Sequence, residues 1–505
     1  MYILVLPLLL LGLWLLAIFI QGLRNPLSHV PGPWYSKWTS MVLMYHWLRG
    51  RRASYVNCLH ETHGKVVRIS PSEVDFASIS GAKRVHAFVR PFPKARMYDT
   101  FRSANGAVNV FGTRDVDVHA RHRRLLSSAI SEASLKNVEH IVHQRAELAV
   151  EKIGLETKQG GAADVMKWWL YFSTDVIGEL TFGDSFRMLE QGKVRTISIY
   201  WNTLWPSSGM SLIHRKNQYV HDLQNLAQRV RIRIAFPNII KLASYIPLPL
   251  FTEAYASVQR MGSYAEQSIH RYENIIAAQP NNPKPTLFTK LFNVNEETMP
   301  KANIVANAQA YITAGSDTTA HTLTYLVWAV CREPSIRARL AKEVADLPDR
   351  YQDEDLKALP FLNQVIQETL RLYAAAPAHL PREVPPAGSE IDGYWMPGGT
   401  DVQTQAYSMH RDPIVYPAPE QFNPSRWEAP SKDMKDAWMP FGGGARVCIG
   451  LHLALMELRI ATTKLFRMHP NARVSTLRGF CDDDMEQVIY FLMYPKNKRC
   501  LIQAS

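Results

Sequence analysis

Acidic side chains are the scarce charged class in this 505-residue chain. Its 45 Asp and Glu face 57 Lys and Arg, leaving a net charge of +12 and a pI near 9.3. Cysteine is also sparse: the five present include no two at C-x₂₋₄-C spacing, and no four-ligand set gathers around any of them. That excludes a closed four-ligand zinc site and a disulfide framework. There is no Asn-x-Ser/Thr acceptor with a non-proline middle residue, which together with unpaired cysteines fits a reducing, non-glycosylated compartment. No zinc finger, helix-turn-helix or aromatic-basic RNA motif accompanies the positive charge. An anionic lipid leaflet and an acidic protein partner therefore account for it better than nucleic acid, and part of it is ordinary solvated surface. Length alone allows about three domains, yet residues 36–505 contain no Ser/Gly-rich linker, low-complexity block or internal repeat, so one large domain is expected.

Charge is absent altogether from Tyr2 to Ile20, 19 residues (YILVLPLLLLGLWLLAIFI) long enough to cross a bilayer core as a helix. The run exceeds a typical signal-peptide core, has no basic segment before it and no small-x-small cleavage site after it, so it reads as an anchor over residues 1–23. Arg24, Lys37, Arg49, Arg51 and Arg52 follow it, and the positive-inside tendency puts the body in the cytosol. Asn25-Pro-Leu-Ser-His-Val-Pro-Gly-Pro33 reads as a stiff joint, with a hinge over 24–35 and a body over 36–505.

The most specific chemistry lies in Phe441-Gly-Gly-Gly-Ala-Arg-Val-Cys448-Ile-Gly450. The apolar stripe from Leu451 to Phe466 predicts a helix whose N-terminus presents the cysteine. Unpaired N–H groups and the positive dipole end favour a thiolate there and lower its pKa. Glycines permit a tight turn close to a flat ligand, and Arg446 can pair with a carboxylate on it. A lone thiolate so presented can hold an iron porphyrin. The other cysteines, Cys58, Cys331, Cys481 and Cys500, read as small hydrophobes.

This segment resembles the heme-binding signature of the cytochrome P-450 monooxygenases, Phe-x-x-Gly-x-Arg-x-Cys-x-Gly. The resemblance implies a mainly α fold with a smaller β portion (α+β), with one catalytic domain behind an N-terminal transmembrane helix. It makes Cys448 the axial ligand of a heme b iron, Arg446 a propionate partner, and Phe441 the ring beside the sulfur. The hinge is similar to that of microsomal members, implying a single-pass protein of the endoplasmic reticulum membrane.

Other segments extend the likeness. Met299 to Glu333 carries a long helical pattern with Ala314-Gly315-Ser-Asp317-Thr318-Thr319 at its middle, where glycine and a back-bonding threonine can open a polar gap. It resembles the family's oxygen-activation segment, which implies Thr318 as the hydroxyl at the oxygen site, Asp317 in proton delivery, and Ala314 and Gly315 lining the pocket. Glu368 and Arg371, one helical turn apart, would alone read as a surface ion pair. With Arg426 in Pro419-Glu-Gln-Phe-Asn-Pro-Ser-Arg426-Trp they resemble the family's structural Glu-Arg-Arg cluster. Arg382 and, in His119-Ala-Arg-His-Arg123, Arg123 match further propionate partners. His119 stands where tryptophan is usual and can still donate a hydrogen bond. His452, four residues past Cys448 on the predicted helix, is carried away from the metal and reads as core or surface.

The implied reaction inserts one atom of O2 into a bulky apolar small molecule. Electrons come from NADPH through cytochrome P-450 reductase, with cytochrome b5 as a further donor, and Arg121 and Arg124 lie on the expected docking face. Alanines at 310, 314, 374, 375, 376 and 378 suggest room for such a substrate. Val30-Pro-Gly-Pro-Trp34 and His119 to Leu126 are similar to fungal secondary-metabolite enzymes acting on polyketides, terpenoids or alkaloids. A desaturase, ring-forming oxidase or isomerase, and a non-catalytic heme-binding sensor, remain open at this level.

Overall fold

The computed structural model describes residues 12–13, 16–102, 106–192, 231–236, 249–278, 286–287, 289 and 299–504. Helices dominate and the sheets are small. The helices that matter for the site are α1 (Met41–Leu48), α2 (Arg52–His63), α3 (Val116–Ser127), α4 (Glu139–Gly160), α5 (Val165–Phe182), α6 (Pro249–Ala278), α7 (Lys301–Arg332), α8 (Pro334–Ala345), α9 (Pro360–Leu372) and α10 (Leu451–Met468).

α5 starts where the Asp164 carboxylate accepts the Met166 N–H, and it ends at Gly183, whose φ of 73° is the left-handed turn that glycine adopts without cost. Its Trp168-Trp169-Leu170-Tyr171-Phe172 run is buried on every side, so it needs no polar face. α7 packs along it. At 1.5 Å per residue α7 is about 48 Å long, and from Ser316 to Cys331 almost all of it is buried. α4, α9 and α10 complete the main apolar core around these two. α9 opens on Pro360 and takes its N-terminal cap from another helix: both Glu343 carboxylate oxygens of α8 accept N–H bonds, from Phe361 and Leu362.

A four-stranded sheet has the order β1 (Val66–Ser70), β2 (Glu73–Phe76), β7 (Asp401–Gln403), β4 (Arg382–Glu383), parallel only between β2 and β7. β3 (Ala163–Asp164) pairs with β11 (Leu501–Gln503), which also pairs with β8 (Arg473–Val474). Two hairpins, β5–β6 (Ser389–Ile391, Tyr394–Met396) and β9–β10 (Gln487–Ile489, Met493–Pro495), finish the set.

The proline-rich segment after the expected anchor packs onto the body. Leu27 and Val30 are buried in the core beneath the four-stranded sheet, and the buried Arg68 of β1 donates to the carbonyls of both, at 2.9 and 2.8 Å. Asn25 adds bonds to the Lys37 and Pro71 carbonyls. Most of the anchor itself lies outside the described residues. Among the described residues no helix is long and apolar enough to cross a membrane.

Candidate functional site

The loop from Phe441 to Gly450 folds back on itself. The Cys448 N–H donates to the Phe441 carbonyl at 2.9 Å, and the Gly442 and Val447 N–H groups close turns onto Met439 and Gly444. Gly442 (φ 71°) and Gly444 (φ 61°) take backbone angles that a side chain resists, and a Cβ on Gly444 would stand 1.5 Å from the His86 carbonyl oxygen. α10 begins at Leu451 with Gly450 as its cap, so Cys448 stands ahead of the helix rather than on its first turn. The expected lowering of the thiol pKa is reversed in this chain. Burial pushes the Cys448 thiol up, and the Gly450 N–H bond and the Arg123 charge oppose that only in part. The thiol nonetheless opens onto a cavity of about 770 Å³.

Behind the loop, Glu368, Arg371 and Arg426 meet in direct contact. Arg371 grips both Glu368 oxygens at 2.9 Å, and Arg426 Nε reaches Oε1 at 3.0 Å. Both Glu368 and Arg371 side chains are fully buried. The Trp427 indole and the Asn423 N–H saturate the same carboxylate, a partnership the sequence does not announce. Arg371 also donates to the His410 carbonyl at 2.7 Å. His410 Nε2 accepts the Met439 N–H, so Nδ1 must carry the proton donated to the Arg371 carbonyl. Burial holds this imidazole neutral, its pKa lowered to about 3. The chain of contacts therefore runs from the buried ion cluster through His410 to the residues leading into the cysteine loop.

Across the cavity, α7 supplies Ala310, Ala314, Gly315, Asp317, Thr318 and Thr319. The Thr318 hydroxyl donates to the Ala314 carbonyl, one turn back, at 2.6 Å. Gly315 has a packing reason as well as a lining one, since a Cβ there would meet Ile177 of α5 at 2.8 Å. Asp317 is buried, and burial raises its pKa to about 7 against the opposing charge of Lys498.

One pole of the cavity is cationic. Arg123, Arg382 and Arg446 all line it, with His119 and the buried Lys94, which the sequence reading missed. Their bonds go to backbone carbonyls and one phenol: Arg123 to Val447 at 2.6 Å, Arg446 to Thr113 at 3.0 Å, Lys94 to Phe111 at 2.6 Å, Arg382 to Pro381 at 3.2 Å and to the Tyr98 side chain. None of the four forms an ion pair with a carboxylate among the described residues. Burial lowers all four pKa values, that of Arg446 to about 10, and mutual repulsion adds to this for Lys94 and Arg446. His119, pressed by burial and by these charges, is held neutral with its pKa lowered to about 3. Buried cations without acids demand anions. A lone thiol facing the cavity, a cluster of cations without acid partners and an apolar wall fit an iron porphyrin.

The remaining wall is apolar and aromatic. Phe101, Phe111 and Phe491 form a triangle with centroids 5.2 to 5.6 Å apart. Of the alanines expected here, Ala310, Ala314, Ala375 and Ala376 line the cavity, whereas Ala374 and Ala378 are buried and lie outside its lining. Two asparagines of α7, unremarkable in sequence, tie the loop carrying Phe111 to the helix: Asn303 and Asn307 accept the Val108 and Val110 N–H groups at 2.9 and 2.8 Å. His452 is exposed and does not line the cavity.

The profile of the cytochrome P450 family matches residues 31–495. The chain is 44% identical over 483 residues to the cytochrome P450 monooxygenase tazI of Aspergillus terreus, covering 95% of this chain and 94% of that one. It is 38% identical to the cytochrome P450 monooxygenase orf2 of Aspergillus niger, covering 98% and 96%. To the cytochrome P450 monooxygenase stcB of Emericella nidulans it is 34% identical, covering 95% and 89%. A match across nearly the whole length, over a fold that gathers Cys448, the arginines and Thr318 around one cavity, places this chain in the cytochrome P450 family as a monooxygenase.

Proposed function

We propose that the protein oxidises a bulky, apolar, ring-bearing small molecule of a fungal secondary-metabolite pathway, of polyketide, terpenoid or alkaloid type. The observation that carries this reading is the wall of Phe101, Phe111, Phe491 and small alanines in the cavity that the Cys448 loop and Thr318 also line. Flat or branched hydrocarbon gains burial against these rings, with Lys94 over the Phe111 ring at 4.1 Å marking where the wall meets the cationic cluster. A heme held by Cys448 would supply the dioxygen chemistry, with electrons provided by a reductase. Arg123, Arg382, Arg446 and His119 would hold its propionates, and Phe441 would lie beside the sulfur. Across the cavity the Thr318 hydroxyl, turned to the Ala314 carbonyl, would orient the bound substrate oxygen, and Asp317 would supply protons there. Glu368, Arg371 and Arg426 keep the thiolate loop in place without touching the substrate.

The electron donor is an NADPH-dependent reductase, with cytochrome b5 as a second source, docking on a basic face that includes the exposed Arg121 and Arg124. Residues 2–20 anchor the chain in the endoplasmic reticulum membrane with the body in the cytosol. The test is a comparison of metabolites between strains with and without the gene, followed by turnover of the accumulating compound with reductase and NADPH. An accumulating compound that is polar or acyclic would overturn the substrate class, and turnover yielding a double bond without oxygen incorporation would favour a desaturase.

A further inference from the structure

Arg233 stands in a single helical turn, residues 231–235, and lines the cavity together with Phe101, Phe111 and Phe491. Residues two apart in a helix point about 200° from each other, so Arg231 and Arg233 serve opposite sides of this turn. Arg231 faces the body of the protein. Its Nη1 donates to the Tyr490 hydroxyl at 2.6 Å and to the Leu48 carbonyl at 3.2 Å, and its own carbonyl accepts the Trp47 indole N–H at 3.2 Å. Ile234 and Ala235 pack onto the cluster of Trp47, Tyr490 and Tyr494. Tyr490 directly precedes Phe491, so the turn is fixed to the hairpin tip that carries part of the aromatic wall, and Arg233 is presented to the cavity.

The Arg233 guanidinium makes no hydrogen bond or ion pair with any of the described residues. The acids of the lining, Glu266, Asp317 and Glu457, do not pair with it. Arg231 Nε is sealed inside the protein, whereas the partly buried Arg233 head stays accessible. Burial alone lowers its pKa, with no charged group acting on it in either direction. Lys94 and Arg446 differ, because each is pressed by the charge of Arg382. Arg233 is therefore a second cationic point, apart from the cluster that would take the propionates. A cation drawn out of water beside an open apolar space is unfavourable until a ligand brings it an anion.

We propose that Arg233 anchors the substrate, and that the molecule oxidised is an apolar, ring-bearing acid whose carboxylate lies against this guanidinium. The planar fork of arginine matches the two oxygens of a carboxylate and donates to both. One such group leaves the rest of the molecule apolar, to be buried against Phe101 and Phe491. Tethered at one end, the ligand samples few orientations in the cavity, which narrows the choice of carbon that is oxidised. This rests on the monooxygenase reading of the cavity and narrows its substrate class.

The experiment uses the full-length heme-loaded protein at neutral pH, with ω-phenylalkanoic acids of increasing chain length and their methyl esters as probes. Binding is measured by equilibrium dialysis and by the change each probe makes in the absorbance of the oxidised heme. In wild type the best acid should bind about tenfold or more tighter than its ester, the effect of a hydrogen-bonded charge pair. Arg233→Gln should weaken the acid by a similar factor and leave the ester where it was. Arg233→Lys, which keeps the charge and loses the fork, should recover part of the difference. An acid bound equally well by Arg233→Gln and wild type, or an acid and ester weakened alike, overturns the proposal. A folded Arg233→Gln protein that loses its heme would assign Arg233 to the propionates and overturn it too. If Arg233→Gln does not fold, Arg233→Met, which keeps the apolar stem, takes its place. Wild type that prefers no acid over its ester refutes the anchor and leaves the apolar-substrate reading standing. Wild type that binds neither removes that reading, and the proposal with it.

Discussion

Gly444 leaves no space for a methyl group: its Cβ would overlap the His86 carbonyl, and its φ of 61° disfavours any side chain. Gly444→Ala should therefore yield a folded protein that retains little heme, read as the heme-to-protein absorbance ratio after purification. Gly450, with ordinary backbone angles and no close neighbour, should accept alanine far more readily. Cys448→Ser should abolish the strongly red-shifted Soret band of the reduced carbon monoxide complex, because only a thiolate ligand produces it. Thr318→Ala should keep that band and divert NADPH electrons into hydrogen peroxide; unchanged coupling would remove Thr318 from the oxygen site.

Several residues at this scale could be named from the sequence because one short pattern fixes them: Cys448, Arg446, Gly444 and Thr318 sit at set spacings within continuous segments. Lys94, His410, Trp427 and Glu457 could not be. Each is an ordinary residue until distant parts of the chain bury it against a particular partner. The thiol pKa shows the same limit, since helix polarity was legible but the burial that outweighs it was not.

Between elements, the positioning of the site rests on a few bonds that link helices to loops. The buried Glu368 carboxylate accepts from two arginines, an indole and a backbone N–H. Removing one partner of such a cluster leaves uncompensated charge, at a cost of about 3–5 kcal/mol. Glu368→Ala should therefore unfold at markedly lower denaturant concentration and bind little heme, measured by circular dichroism and heme content. The asparagine tether behaves differently. Asn307→Leu removes the acceptor of the Val110 N–H, about 1–3 kcal/mol for a buried group, and should loosen only the loop that carries Phe111. Faster hydrogen exchange confined to residues 106–112, with heme content unchanged, is the expected outcome. The long helix α7 was legible to within two residues at its start, because a long uncharged pattern has little else to form. The pairings of the small sheets were not, since strands of two to five residues carry no period strong enough to fix their partners.

At the scale of the whole molecule, charge and hydropathy divide the chain into an apolar leading segment and a basic body. Deletion of residues 1–23 should move the protein from the membrane fraction toward the soluble one while leaving its carbon monoxide spectrum intact, read by fractionation and absorbance. The acids buried around the cavity set a pH dependence of stability. Glu457, raised to about 8 when folded against an ordinary value of 4.5, stabilises the fold fully below 4.5, and that contribution is lost as pH rises through 8. The thermal midpoint of wild type relative to Glu457→Gln should accordingly fall across that window. The family and its general architecture were readable at this scale from motifs in the right order along one chain; the shape of the cavity was not, because it is made by loops meeting from residues near 101, 111, 375 and 491.

The division of labour around Cys448 has an evolutionary consequence. Most of the scaffold that aims the sulfur comes from Glu368, His410 and Met439, behind the loop and outside the cavity lining, with Arg123 holding the Val447 carbonyl from within. The aromatic wall comes from separate connecting segments. Substitutions at Phe101 or Phe491 can thus redraw which molecules enter while the thiolate's scaffold stays as it was, so a lineage can change its chemical repertoire without relearning how to activate oxygen.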